Sequence, residues 1–79
     1  MENTYFNIII ASLVGYEYLV AEIYCNDKFV ALISQERGRG DYDLEVPGCD
    51  VLETEVIRRT NMLNFIKAIN RAATMLSNC

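Results

Sequence analysis

The chain contains no histidine, one proline and four glycines, and it runs from Asp41 to Glu55 without a single basic residue. Histidine is the commonest general base and a frequent zinc ligand, so its absence argues against the usual acid–base and nucleophilic constellations and against a zinc site. Few breakers in a chain that is 52% hydrophobic argue against disorder and low complexity, and no repeat of solenoid length is visible. No Lys or Arg precedes the apolar run Ile8–Val14. That run is also far shorter than the roughly 20 residues that span a bilayer. Neither a secretory leader nor a membrane span is therefore expected, and the expected location is cytoplasmic. With 79 residues the chain is expected to form one domain, 1–79, with one small core and little stability to spare. Three cysteines, Cys25, Cys49 and Cys79, cannot all pair and match no zinc spacing. Free thiols in a reducing compartment are the expectation, with a Cys25–Cys49 bridge as the alternative.

What the chain does carry is segregated charge. Asp41, Asp43, Glu45, Asp50, Glu53 and Glu55 are followed from Val56 onward by Arg58, Arg59, Lys67 and Arg71 with no acid among them. The formal net charge is −4. Such a chain is repelled by phosphate backbones and anionic lipid, so direct nucleic-acid and membrane binding are not expected. An acidic strip on a small chain without histidine points to a surface for a basic macromolecule.

Tyr5–Val14, rich in Ile and aromatics, predicts a strand ended by Gly15. Its three consecutive isoleucines suggest burial on both faces or a change of surroundings along it. Tyr16–Cys25 and Lys28–Gln35 flank Asn26-Asp27, two residues that tolerate positive φ, which predicts a hairpin with a two-residue turn. A regular register places Cys25, Ile23, Ala21 and Leu19 opposite Lys28, Val30, Leu32 and Ser34 on one face. The other face then holds Tyr24 against Phe29, Glu22 against Ala31 and Val20 against Ile33, with Tyr18 beside Gln35. Tyr42, Leu44 and Val46 alternate with Asp43 and Glu45, a half-buried strand stopped by Pro47-Gly48. Gly48–Glu53 reads as loop and Glu55–Thr60 as a short fifth strand. Asn61 suits a helix N-cap, and Met62, Phe65, Ile66, Ile69, Ala72, Ala73 and Leu76 form an apolar stripe at helical spacing. The expected fold is α+β: an antiparallel β-meander of four to five strands with one C-terminal helix packed on a face.

The candidate chemistries are weak beside this. Asp43 and Glu45 lie on one side of their strand about 7 Å apart, but so small a domain offers no deep cleft in which to tune a catalytic pair. Asp41-Tyr-Asp43-Leu-Glu45 begins like a calcium loop and lacks its glycine (Val46 stands there) and its closing glutamate (Leu52 stands there). A cysteine nucleophile would need activation by a cation such as Lys28 beside Cys25. Arg39-Gly40-Asp41 matches an adhesive tripeptide, yet its glycines are explained by a turn. No catalytic residue, metal or cofactor is expected. Tyr18, Tyr24 and Phe29 are candidate anchors for a protein partner, since Tyr is favoured at interface centres.

The hairpin segments Tyr16-Glu-Tyr-Leu-Val-Ala-Glu-Ile-Tyr24 and Lys28-Phe-Val-Ala-Leu-Ile-Ser-Gln-Glu36 resemble those of a family of small bacterial proteins. Its acidic strand ending in Pro-Gly, basic strand and C-terminal helix correspond to Asp43–Gly48, Val56–Arg59 and Asn61–Leu76. The family comprises immunity proteins that neutralise toxins of bacterial competition systems, including contact-dependent growth inhibition. Two departures are the Asn26-Asp27 turn in place of Asp-Gly and a longer Gly48–Glu53 loop. The resemblance implies a non-enzymatic antitoxin, monomeric or weakly dimeric when free, that covers the basic surface of a toxin domain of the nuclease kind. Asp41, Asp43, Glu45, Asp50, Glu53 and Glu55 would supply complementary charge, and Tyr18, Tyr24 or Phe29 the anchor. The alternatives are a phage-encoded acidic inhibitor that mimics nucleic acid against a defence complex, and a structural homodimer built on the aromatic sheet face.

Overall fold

The computed structural model describes residues 6–48 and 59–79. They form a four-stranded antiparallel sheet in the order β1-β2-β3-β4, with one C-terminal helix packed on it. The strands are β1 (Phe6–Ala11), β2 (Val20–Cys25), β3 (Lys28–Ser34) and β4 (Asp43–Glu45), and the helix is α1 (Met62–Ser77). This is the expected α+β meander. The predicted fifth strand falls mostly on residues outside the described ones, and Arg59 and Thr60 have no regular structure. No helix among the described residues is long and apolar enough to cross a membrane.

The β2–β3 hairpin forms at Asn26-Asp27, where φ is 53° and 67°. Two successive positive φ values twist the turn to match the strands. The regular register fails after Phe29, however. Tyr24 pairs with Phe29, but Ile23 pairs with Ala31 and Ala21 with Ile33, leaving Val30 as an extra residue in a bulge. One inserted residue reverses the facing of everything beyond it. Ala31 and Ile33 therefore join Ala21, Ile23 and Cys25 beneath the helix, while Leu32 and Ser34 join Val20 on the far face.

The helix lies mainly across β2 and buries Ala68, Ala72 and Leu76, with Phe65 and Ile69 packed alongside. Asn61 caps it, accepting from the Asn64 amide at 2.9 Å. Met62 and Ile66, expected in the buried stripe, are exposed. Ile66 lies about 100° round the helix from Phe65, off the line that meets the sheet. Arg71, although exposed, reaches β1 and donates to the Phe6 carbonyl at 2.8 Å. Phe6, Ile8 and Ile10 of β1 face the same core, whereas Ile9 points away and is 48% exposed. The three isoleucines therefore belong to an edge strand with one open face. Leu44 and Val46 are also exposed, because β4 is a short outer strand that α1 does not reach.

The far face has no helix, yet Val20, Leu32 and Ser34 on it are buried. The β1–β2 connection is hydrogen-bonded across this side, through the Tyr16 hydroxyl to Glu45 and the Glu17 and Tyr18 amides to Glu36. It reverses in a turn closed by Tyr16 N–H donating to Leu13 O at 3.1 Å, with Gly15 at φ +92° supplying the positive angle that a side chain resists. β2 and β3 are thus buried on both sides at these positions, and Leu32→Ala is expected to cost about as much as Ile23→Ala, about 2–5 kcal/mol. Chemical denaturation checks this. A cost within about 0.5 kcal/mol, typical of a surface site, would show that the far face is open.

Candidate functional site

β4 brings Asp43 and Glu45 onto the far face, since Leu44 between them pairs with Ile33 of the helix-facing set. Asp41 precedes the strand, and Glu36 follows β3 at the same end of the sheet. Each of these four carboxylates already has a partner within the chain. Arg37 lies 3.1 Å from Asp41 and 2.7 Å from Asp43, and these bridges are solvent-exposed. Glu45 accepts from the Tyr16 hydroxyl and from the Ser34 hydroxyl, each at 2.7 Å. Glu36 accepts from the Glu17 amide at 2.9 Å and the Tyr18 amide at 3.1 Å.

The carboxylates therefore hold the covering loop down. Because Glu45 points to the far face, its bond to Tyr16 draws that ring across β3 and β4. Gln35, which is buried, completes the clamp: its amide nitrogen donates to Leu19 O at 3.0 Å, and its oxygen accepts from Gly40 N–H at 3.1 Å. One side chain thus ties the β1–β2 loop to the β3–β4 loop. Arg39, in the latter loop, donates to Cys79 O at 3.1 Å and links it to the helix end. Nothing in the residue pattern singled out Gln35. Its only signal was a polar residue at the end of an otherwise apolar strand.

The expected aromatic anchors are not one cluster. Tyr24 and Phe29 meet edge to face, centroids 5.8 Å apart and planes at 69°, at the hairpin tip on the far face. Tyr18 sits at the opposite end, its amide held by Glu36. Six residues of extended chain put it up to roughly 20 Å away. Asp50, Glu53 and Glu55 lie outside the described residues, as does Cys49. Among the described residues Cys25 is a free, buried thiol and Cys79 is free and exposed; the alternative Cys25–Cys49 bridge involves a residue outside them. Among the described residues no group of three or more acids or cysteines is placed to hold a metal. An apolar cleft of about 570 Å³ opens between β3, β4 and the start of α1, lined by Val30, Val46, Met62 and Phe65. Pro47 and Arg59 lie on its rim.

With this geometry in place, comparison with known proteins adds no relative: no protein-family model, no curated protein and no solved structure matches the chain. The resemblance to immunity proteins rests on its own residues.

Two phenols report on the electrostatics. Tyr16 is raised above its ordinary value of 10.0, first by its hydrogen bond to Glu45, then by desolvation and by the negative charges of Glu45 and Glu36. Tyr24 is raised by burial first, then by the charge of Glu22 and a hydrogen bond to it. In both cases folding favours the neutral phenol. Their contribution to stability is complete below the unfolded value near pH 10 and is lost as pH rises through the higher folded value. Stability should therefore fall above pH 10. Tyr16→Phe should make that fall shallower and lower stability near neutrality by about 1 kcal/mol. Denaturation series at alkaline pH compare the two proteins; equal slopes would mean that the Tyr16–Glu45 bond does not form.

Proposed function

We propose that this chain is a cytoplasmic immunity-type protein that binds a toxin domain of the nuclease kind and neutralises it by covering its basic surface. The observation that carries this reading is the gathering of Glu36, Asp41, Asp43 and Glu45 at one end of the sheet, beside the outer strand β4. Arg37 and Arg39 offset part of their charge. Four acids against two arginines over residues 36–48 leave two net negative charges. The offset is easily given up, because an exposed bridge such as Arg37–Asp41 is worth about 0–1 kcal/mol. A partner's lysine or arginine can displace Arg37 at little cost and meet Asp41 and Asp43.

Glu45 has a different role. Its bonds to Tyr16 and Ser34 hold it in one position, so a cation docking there meets an acceptor whose ordering cost was met on folding. Electrostatic steering toward such an edge accelerates encounter more than it deepens final affinity. The Tyr24–Phe29 pair lies on the same face, at the hairpin tip, and offers an apolar contact to the same partner.

Affinity capture from a lysate of the source organism, with the intact chain as bait, identifies the partner. The expected partner is a basic protein whose nuclease activity disappears in the complex. The Asp41→Lys/Asp43→Lys variant removes the exposed Arg37 bridges but leaves the contacts of the β1–β2 loop in place, and should associate with that partner about 10-fold more slowly or worse at low salt. An acidic partner, or an unchanged association rate, contradicts the reading.

A further inference from the structure

A small pocket of about 180 Å³ lies at the hairpin tip, at the opposite end of the sheet from Asp43, and is lined by Asn7, Ile9, Tyr24 and Asp27. The register builds it. Asn7 pairs with Tyr24 and Ile9 with Glu22, so these four side chains share the far face. Phe29 meets the Tyr24 ring edge to face from the β3 side. The pocket therefore opens on the β1 side of that ring, and Asp27 borders it from the turn. Asn7, Ile9 and Asp27 are exposed, which leaves the pocket open to solvent.

Its size suits one side chain, since pockets for whole small ligands run from about 300 Å³ upward. Its lining states which kind. Ile9 offers an aliphatic wall, Tyr24 an aromatic ring and Asn7 an amide oxygen. Among the described residues the Asp27 carboxylate has no ion pair and accepts no hydrogen bond. Glu22 adds a second carboxylate beside the ring: after burial, its charge raises the Tyr24 pKa. Lys28, the cation nearest in sequence, pairs with Cys25 of the core and so belongs to the helix side. Two acids thus border the pocket, and no cation among the residues lining it offsets them.

We infer that this pocket receives one arginine side chain of a protein partner. The methylene stem packs on Ile9, and the planar guanidinium lies against Tyr24 with its paired N–H groups donating to Asp27. Lysine, a compact point charge, gains the attraction without the stacking or the paired bonds. Phe29 already holds Tyr24 in place, so little order is lost there on docking. That the arginine comes from a basic protein rests on the toxin reading above; the preference of the pocket for a guanidinium does not.

Nuclear magnetic resonance of the isotope-labelled intact chain tests this, with arginine capped as its acetyl methylamide for the probe. Saturable shifts at Asn7, Ile9, Tyr24 and Asp27 are expected in the millimolar range. The capped lysine should bind more weakly, and capped citrulline, of similar shape and no charge, should leave these signals in place. Asp27→Asn keeps a residue that tolerates positive φ, so the turn should form, and it should weaken binding about threefold or more. Asp41→Lys/Asp43→Lys should bind the probe as the wild type does, whatever becomes of its association with a toxin, which distinguishes this pocket from the acidic edge. Equal binding of lysine or citrulline overturns the inference. So do shifts confined to the Asp41 and Asp43 end, or an affinity that Asp27→Asn leaves unchanged.

Discussion

Burial of β2 and β3 from both sides is the constraint on which the rest of the structure depends. On one side α1 supplies Ala68, Ala72 and Leu76 against Ala21, Ile23 and Ile33. On the other, Val20, Leu32 and Ser34 are buried on the side to which the irregular β1–β2 connection is hydrogen-bonded. A chain this short can rarely spare an open sheet face, because a core of its size yields only a few kcal/mol beyond the entropy of folding. The covering loop does much of the work of a second helix, and it stays in place through polar anchors: Glu36 on two amides, Gln35 on the Leu19 carbonyl, and Glu45 on the Tyr16 hydroxyl.

The acidic residues therefore act at two levels. Glu36 and Glu45 are structural, and their bonds fix them in direction. Asp41 and Asp43 share one arginine on the surface, where the bridge contributes little to stability and can be exchanged. A docking surface made from such groups has a physical logic. In the proposed complex its fixed members would lower the entropy lost on binding, and its exchangeable members would supply charge for a basic partner to take over.

Much of the fold was legible because strong local signals agreed. The Asn26-Asp27 turn, the Asn61 cap and the helical apolar spacing each have a local physical cause, and each appears where expected. The misses share one origin, in that they depend on tertiary context. The bulge at Val30 leaves no mark in an apolar run, yet it exchanges the faces of Ala31, Leu32, Ile33 and Ser34. Ile9, Leu44 and Val46 are as apolar as core residues and are exposed because their strands are edges, a fact of topology rather than of pattern. The acidic strip was visible as composition. That Arg37, Tyr16 and Ser34 would reach its members was not, because those contacts depend on loops packing against the sheet. The proposed aromatic anchor divides for the same reason: Tyr24 and Phe29 are neighbours across the hairpin, while Tyr18 is held at its other end.

Hydrogen exchange at the Glu17 and Tyr18 amides tests the loop closure most directly. These amides lie in an irregular segment and donate to the two carboxylate oxygens of Glu36. Clear protection in the wild-type protein, lost in Glu36→Gln while β2 and β3 stay protected, is the predicted result. Exchange of both amides at the rate of an unstructured peptide would contradict the account, because the far face of the sheet would then lack its cover and the carboxylates their structural role.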